Sequence, residues 1–215
     1  MLDGVIFDLD GTLADTLGVC IEAFQNAIEV HVGNRPTPAE VVELFGPTEE
    51  GVLRTVVGSE WELAVETFLT EYGRLHASVP APFPGIQSVL DRLAGAGVPA
   101  AVVTGKGPRS AGISLEVLGL EGVFEFVEAG SIDGVVKAEK ITRIADRWGI
   151  PATSVAYVGD HPHDTREAHK AGVIAVAAAW SPQADAEALR GSDPEEFFDS
   201  VTAFETWIEA SVGVG

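Results

Sequence analysis

The sequence predicts an α/β fold: a doubly wound parallel sheet with a small all-helical domain inserted after its first strand. Two observations predict the sheet. Five short runs, at 5–9, 100–104, 124–128, 154–159 and 173–179, are continuously apolar instead of alternating, as parallel strands covered on both faces should be. Helical patterns lie between them, so strand and helix alternate and right-handed crossovers follow. A third observation predicts the insertion. Residues 16–79 hold several helical stretches and no convincing strand.

Taken in order, the first run, "VIFDL", leads straight into clustered acids. In the insertion, Trp61, Ala64, Val65, Phe68, Tyr72 and Leu75 form one apolar stripe, which reads as the packing face of a helix. The insertion ends at "VPAPFPG", where three prolines and a glycine in seven residues mark a stiff linker. The expected division is therefore a core of 1–14 and 81–215 and a cap of 15–80, joined near 13–18 and 79–85. Beyond the linker, Ile86, Val89, Leu90 and Leu93 keep helical spacing, as do Ile141, Ile144, Ala145 and Trp148. The remaining runs supply the later strands.

The formal charge is −20, from 13 basic and 33 acidic residues. That argues against nucleic acid or an anionic membrane as partner, since both require basic patches. In residues 182–210, Arg190 is the only base among eight acids, which reads as a solvated acidic face. Cys20 is the only cysteine, so no internal disulfide is possible and a reducing compartment fits. No basic stretch leads into an apolar one after Met1, and the most apolar run, "VIAVAAAW", is far short of the roughly 20 residues of a membrane span. A cytoplasmic protein, monomeric or homodimeric, is expected.

The strand ends carry the chemistry. Asp8 and Asp10 stand two apart, so on a strand both side chains point the same way. Gly11 and Thr12 then permit a tight turn with free backbone N–H groups, although Asp10-Gly11 alone is also an ordinary turn signal. The second run ends at Thr104, followed by Gly105. The fourth ends "GDHPHD", placing Asp160 at its tip and Asp164 four residues on. Lys137 opens a helix beyond the third run. Ligands of parallel α/β sheets bind at the carboxyl ends of strands, where this chain gathers four carboxylates, a hydroxyl and an ammonium. The carboxylates suit a hard cation such as Mg²⁺. Thr104, Lys137 and the free amides suit phosphate oxygens. The set describes Mg²⁺-assisted phosphoryl transfer.

On these residues the chain resembles the phosphatases of the haloacid dehalogenase superfamily, in the phosphoglycolate phosphatase-like group. Asp8-Leu9-Asp10-Gly11-Thr12 matches the first motif, DxDGT, and Thr104 the second, a hydroxyl ending an apolar strand. Lys137 matches the third, and Gly159-Asp160 with Asp164 the fourth, GDxxxD. The resemblance spans the chain and implies a Rossmann-like core with a helical C1 cap. It implies that Asp8 attacks phosphorus, giving an aspartyl-phosphate, and that Asp10 protonates the leaving oxygen and later activates water. It further implies that Asp8, the Asp10 carbonyl, Asp160 and Asp164 hold Mg²⁺, while Thr104 and Lys137 bind the phosphoryl oxygens. Gly11, Thr12 and Gly105 would meet the substrate with backbone amides. Pro47, Thr48, Glu49 and Glu50, in "FGPTEEGV", match the cap loop that faces the site, though Thr48 followed by two glutamates is also an ordinary helix start.

Several points depart from the family pattern or stay open. Lys137 is followed by Ala138, where the family often has proline, which makes Lys140 a rival; the distance from Lys137 to Gly149 fits one helix better. His161 and His163 suit zinc or iron more than Mg²⁺ and read as exposed residues, or as neighbours of the ligands. Asp15 and Thr16 read as the cap of the next helix and a hinge, and Lys106 as a solvated lysine at a helix start ahead of the alternative that it lies near the phosphate. Glu49 and Glu50 near the site would disfavour doubly acidic substrates. The first reading is a phosphatase acting on a small phosphate monoester, phosphoglycolate-like or a sugar phosphate, with pyrophosphate cleavage a variant. The alternatives are a phosphomutase of the same fold and a non-catalytic binding protein.

Overall fold

The apolar run that opens the chain becomes the central strand of a six-stranded parallel sheet in the computed structural model, which describes residues 1–213. The strands are β1 (Gly4–Phe7), β2 (Ala100–Val103), β3 (Phe126–Glu128), β4 (Val155–Gly159), β5 (Ile174–Ala178) and β6 (Glu196–Phe198). Their order is β3-β2-β1-β4-β5-β6. The register sets Phe7 beside Val102 on one side and Val158 on the other. All four residues of β1 and all five of β4 are buried, which is why these runs do not alternate.

Alternate residues of the strands face two helical layers. Val5, Phe7, Val102 and Val158 pack with α5 (Ile86–Gly95) and α10 (Val201–Ser211). Ile6, Ala101, Val103 and Tyr157 pack with α7 (Lys137–Trp148) and α8 (Pro162–Ala171). All four apolar positions expected on α5 are buried, as are Ile141, Ile144 and Ala145 on α7. A third cluster is built by α1 (Leu17–Val32), α2 (Pro38–Val42), α3 (Glu49–Val57) and α4 (Trp61–His76), with Phe24 and Phe68 ring centroids 4.6 Å apart. This helical layer meets the sheet layer where the Tyr72 hydroxyl lies 2.7 Å from that of Ser114, on α6 (Pro108–Val117). A short α9 (Ala186–Gly191) precedes β6. Among the described residues no helix is long and apolar enough to cross a membrane.

Two expectations change. Segment 182–210 is not merely a solvated acidic face: it contributes β6, which pairs with β5, and buries Leu189, Val201, Phe204 and Ile208. Its acids sit around these apolar positions; Glu205, for example, accepts from Arg92 Nε at 2.8 Å. The first strand also ends at Phe7, so Asp8 and Asp10 stand on the following loop. There Gly11 N–H donates to the Ala14 carbonyl at 2.8 Å and Leu13 N–H to that of Leu9 at 2.9 Å.

Candidate active site

The chain leaves β1 toward β2 on one side and later starts β4 on the other, so a crevice opens at the carboxyl ends of β1 and β4. Asp8 enters it from β1, anchored by its N–H to the Val158 carbonyl at 2.8 Å. One carboxylate oxygen accepts from Leu9 N–H at 2.8 Å, and the other from Lys137 Nζ at 2.6 Å. Lys137 opens α7, and its Nζ also donates to Asp164 Oδ1 at 2.7 Å. Asp164, in the first turn of α8, accepts from His161 N–H on its other oxygen at 3.1 Å. Asp160 follows β4 and closes the set. Oxygens of Asp8, Asp160 and Asp164 lie within 4.8 Å of one another. Gly11 makes this approach possible, because it holds φ +73° and a Cβ there would stand 2.0 Å from Asp160 Oδ2.

The electrostatics are lopsided. Burial pushes the Asp8 carboxyl up to about 6, Lys137 opposes the rise, and Asp164 adds to it. Burial, then Asp164 and Asp8, hold Asp160 well above the usual carboxylate range. Lys137 stays well above an ordinary lysine; burial pulls it down, but Asp164 and Asp8 more than offset that. Three crowded carboxylates thus share one ammonium. Such an all-oxygen donor set with uncompensated negative charge fits a hard divalent cation.

Thr104 follows β2, with its N–H on the Glu128 carbonyl at 3.1 Å and its hydroxyl accepting from Lys106 N–H at 3.3 Å. Asp8, Asp10, Thr104, Gly105, Lys137, Asp160 and Asp164 all line one cavity of about 460 Å³. Pro47 and Glu49 reach it from the helical layer, where Leu17, Phe24, Val42 and Phe45 make the wall apolar. Gly11, Thr12 and Thr48 are not on that wall. Thr12 is fully buried, and Thr48 gives its N–H to the Ser131 carbonyl at 2.9 Å. Glu49 is already engaged: its carboxylate accepts from Gly107 N–H at 2.5 Å and from the Ser110 hydroxyl at 2.6 Å.

Residues 5–178 match the family described as haloacid dehalogenase-like hydrolase. The chain belongs to that family. It is 31% identical over 188 residues to a phosphoglycolate phosphatase of Neisseria meningitidis, covering 81% of this chain and 79% of that protein. It is 32% identical over 183 residues to the tyrosine-protein kinase PtkA of Mycobacterium tuberculosis, covering 82% of this chain but only 62% of PtkA. The structure of a hydrolase from Pseudomonas syringae, 19% identical, shares the fold with a TM-score of 0.78 over 98% of this chain and 100% of that one.

Within this haloacid dehalogenase-like hydrolase, four residues behave otherwise than the sequence suggests. Lys106 is not solvated: it is 5% exposed, with Nζ 3.2 Å from Asp10 Oδ2 and 3.5 Å from Glu49 Oε1. Thr16 stands at the start of α1 but makes no cap bond; its hydroxyl donates to Asp10 Oδ1 at 2.5 Å. Asp15 provides no cap either, and its Oδ1 is buried without a partner. Glu167 escaped the sequence reading. It is buried on α8 and accepts from Ala138 N–H at 3.1 Å, tying down the turn that presents Lys137. Only its spacing from Asp164 on one helix hinted at it. Lys140 instead donates to the Ala129 and Gly130 carbonyls, away from Asp8. His161 is exposed and caps α8 through Nδ1, which accepts from His163 N–H at 3.1 Å; His163 Nε2 lies 3.8 Å from Glu167 Oε1.

Proposed function

We propose that this phosphatase of the haloacid dehalogenase family hydrolyses a small-molecule phosphate monoester in a Mg²⁺-dependent reaction through an aspartyl-phosphate on Asp8. The observation that carries the proposal is the Asp8–Lys137–Asp164 array beside Asp160, set at the strand switch point and open to the cavity. Asp8, Asp160, Asp164 and the Asp10 carbonyl would hold Mg²⁺. When bound, the ion neutralises the repulsion between the Asp8 carboxylate and a phosphate dianion.

This chain's residues do the rest. An oxygen of Asp8 attacks phosphorus, the ester P–O bond breaks, and Asp10 gives a proton to the leaving oxygen. Asp10 then takes a proton from water, which attacks the same phosphorus and frees Asp8. Lys137 and the Thr104 hydroxyl hold the transferring oxygens, where charge builds up. Gly105 adds a backbone amide, and Gly11 and Thr12 serve the turn that aims Asp10. Residues 15–80 act as a cap over a core of 1–14 and 81–215, a division supported by the separate apolar cluster of α1–α4. The leaving group would lie against Leu17, Phe24, Val42 and Phe45.

The substrate class is a phosphoglycolate-like acid or a sugar phosphate, supported by the name of the Neisseria relative. The single, buried cysteine supports a cytoplasmic setting, and the −20 charge supports a small-molecule partner over nucleic acid or membrane, for a monomer or homodimer. Phosphate release should be assayed with and without Mg²⁺ on phosphoglycolate, sugar phosphates, nucleoside monophosphates and pyrophosphate, for wild type and Asp8→Asn. Mg²⁺-dependent release from an ester, lost in Asp8→Asn, is expected. Release that survives Asp8→Asn would refute the aspartyl-phosphate. Isomerisation of a sugar phosphate without net release would make the protein a mutase, and binding without turnover would make it a non-catalytic relative.

A further inference from the structure

Asp10 is gripped on both oxygens, and both grips come from the seam between the sheet layer and the helical layer. Thr16, immediately before α1, donates to Oδ1 at 2.5 Å. Lys106, in the loop after β2, places Nζ 3.2 Å from Oδ2. That ammonium is also 3.5 Å from Glu49 Oε1 on α3 and 4.2 Å from the centre of the Tyr72 ring on α4. It is within ion-pair range of both carboxylates yet makes a hydrogen bond with neither. Glu49 in turn holds the lysine's own loop through Gly107 N–H and Ser110. The fit there is close: a Cβ on Gly107 would stand 2.6 Å from Glu50 and 2.9 Å from Glu49.

A buried ammonium is costly unless its partners offset the lost water. If Lys106 served only to neutralise Glu49, it would have little reason to stand against Asp10, since Glu49 already accepts two hydrogen bonds from the core. We propose that Lys106 is a positioning residue: with Thr16 it fixes the Asp10 carboxyl facing the leaving oxygen, and the hold of Glu49 on its loop makes that alignment depend on the seating of the helical layer. This rests on Asp10 being the proton donor of the proposed reaction. In that step the electron pair of the broken P–O bond goes to the leaving oxygen, together with the proton from Asp10.

The test exploits leaving groups that differ in their need for a proton. An alkyl ester such as ethyl phosphate must be protonated as it departs, whereas 4-nitrophenyl phosphate departs as a stable phenolate. The quantity kcat/KM isolates the first transfer, before water enters. In Lys106→Met and the polar Lys106→Gln, kcat/KM should fall at least about tenfold more on the alkyl than on the aryl ester. Asp10→Asn should show the same pattern more strongly, and Glu49→Ala more weakly. Because each variant is compared with itself on two substrates, partial loss of folded protein cancels. Equal losses on both esters in both Lys106 variants, or a rise in KM alone, would overturn the inference while Asp10→Asn still discriminates. If Asp10→Asn does not discriminate, the role given to Asp10 fails instead.

Discussion

Two lysines face the same cavity, Lys106 buried and Lys137 half-buried, and they are held differently. Lys137 hydrogen-bonds to Asp8 and Asp164 at 2.6 and 2.7 Å, and both partners belong to the sheet layer. Lys106 has one carboxylate from each layer, at 3.2 and 3.5 Å, without hydrogen-bond geometry. The difference divides the site into a half held within the sheet layer and a half held across the seam. On the proposed mechanism, the sheet ends hold Asp8, the nucleophile, and the seam holds Asp10, which serves the leaving oxygen. Binding energy from the leaving group can then be expressed in the alignment of Asp10 rather than of Asp8.

The largest effect expected on this comparison comes from Asp8→Asn, which should lower kcat by more than about 10⁴-fold on every ester. Next, Lys137→Ala should cost about 10²–10³-fold on alkyl and aryl esters alike. A loss confined to alkyl esters would mean that the two lysines have exchanged roles. Lys140→Ala, whose ammonium points to backbone carbonyls, should cost far less. Glu167→Gln comes third. It weakens the hold on Ala138 N–H and loosens the turn carrying Lys137, so a drop in kcat on the order of tenfold is expected, without discrimination between leaving groups. Steady-state rates on both esters check these four variants.

The smallest effect concerns stability at the seam. His76 ends α4, is fully buried, and has no hydrogen-bond partner on either ring nitrogen. Burial holds its pKa below the usual 6.5. The unfolded chain therefore takes up the proton more readily, so the contribution of the neutral ring is complete above about pH 6.5 and is lost as pH falls below it. Thermal unfolding should show wild type losing more on acidification than His76→Phe, by on the order of 2 °C. Parallel pH profiles of the two proteins would contradict this role of His76.

The half of the site at the sheet ends was readable in the sequence, and the half at the seam was hidden. Apolar runs end in Asp8, Thr104 and Asp160, and a parallel sheet must bring such ends to one edge, so local pattern sufficed. β6 was missed because Glu196–Phe198 is only three residues of half-buried edge strand inside an acidic segment. Lys106, Thr16 and Glu167 were misread or overlooked because their roles lie in partners from other elements. Nothing around Lys106 in "TGKGP" reveals that Glu49 and Tyr72 will cover it. Glu49 shows the converse: the loop was readable as facing the site, but not that its carboxylate would be engaged by Gly107 and Ser110.

Transfer of the phosphoryl group first to Asp8 separates the proposed mechanism from direct attack by water. Acid quenching during turnover of 4-nitrophenyl phosphate, followed by mass analysis of the peptide that carries Asp8, tests it directly; this ester needs no proton on its leaving group, so Asp10→Asn should raise the signal by slowing only the step in which water attacks. A phosphoryl group on Asp8 in wild type and in Asp10→Asn, absent in Asp8→Asn, is the predicted result. Ester hydrolysis with Asp8 unmodified throughout, and with inverted configuration at phosphorus, would contradict it.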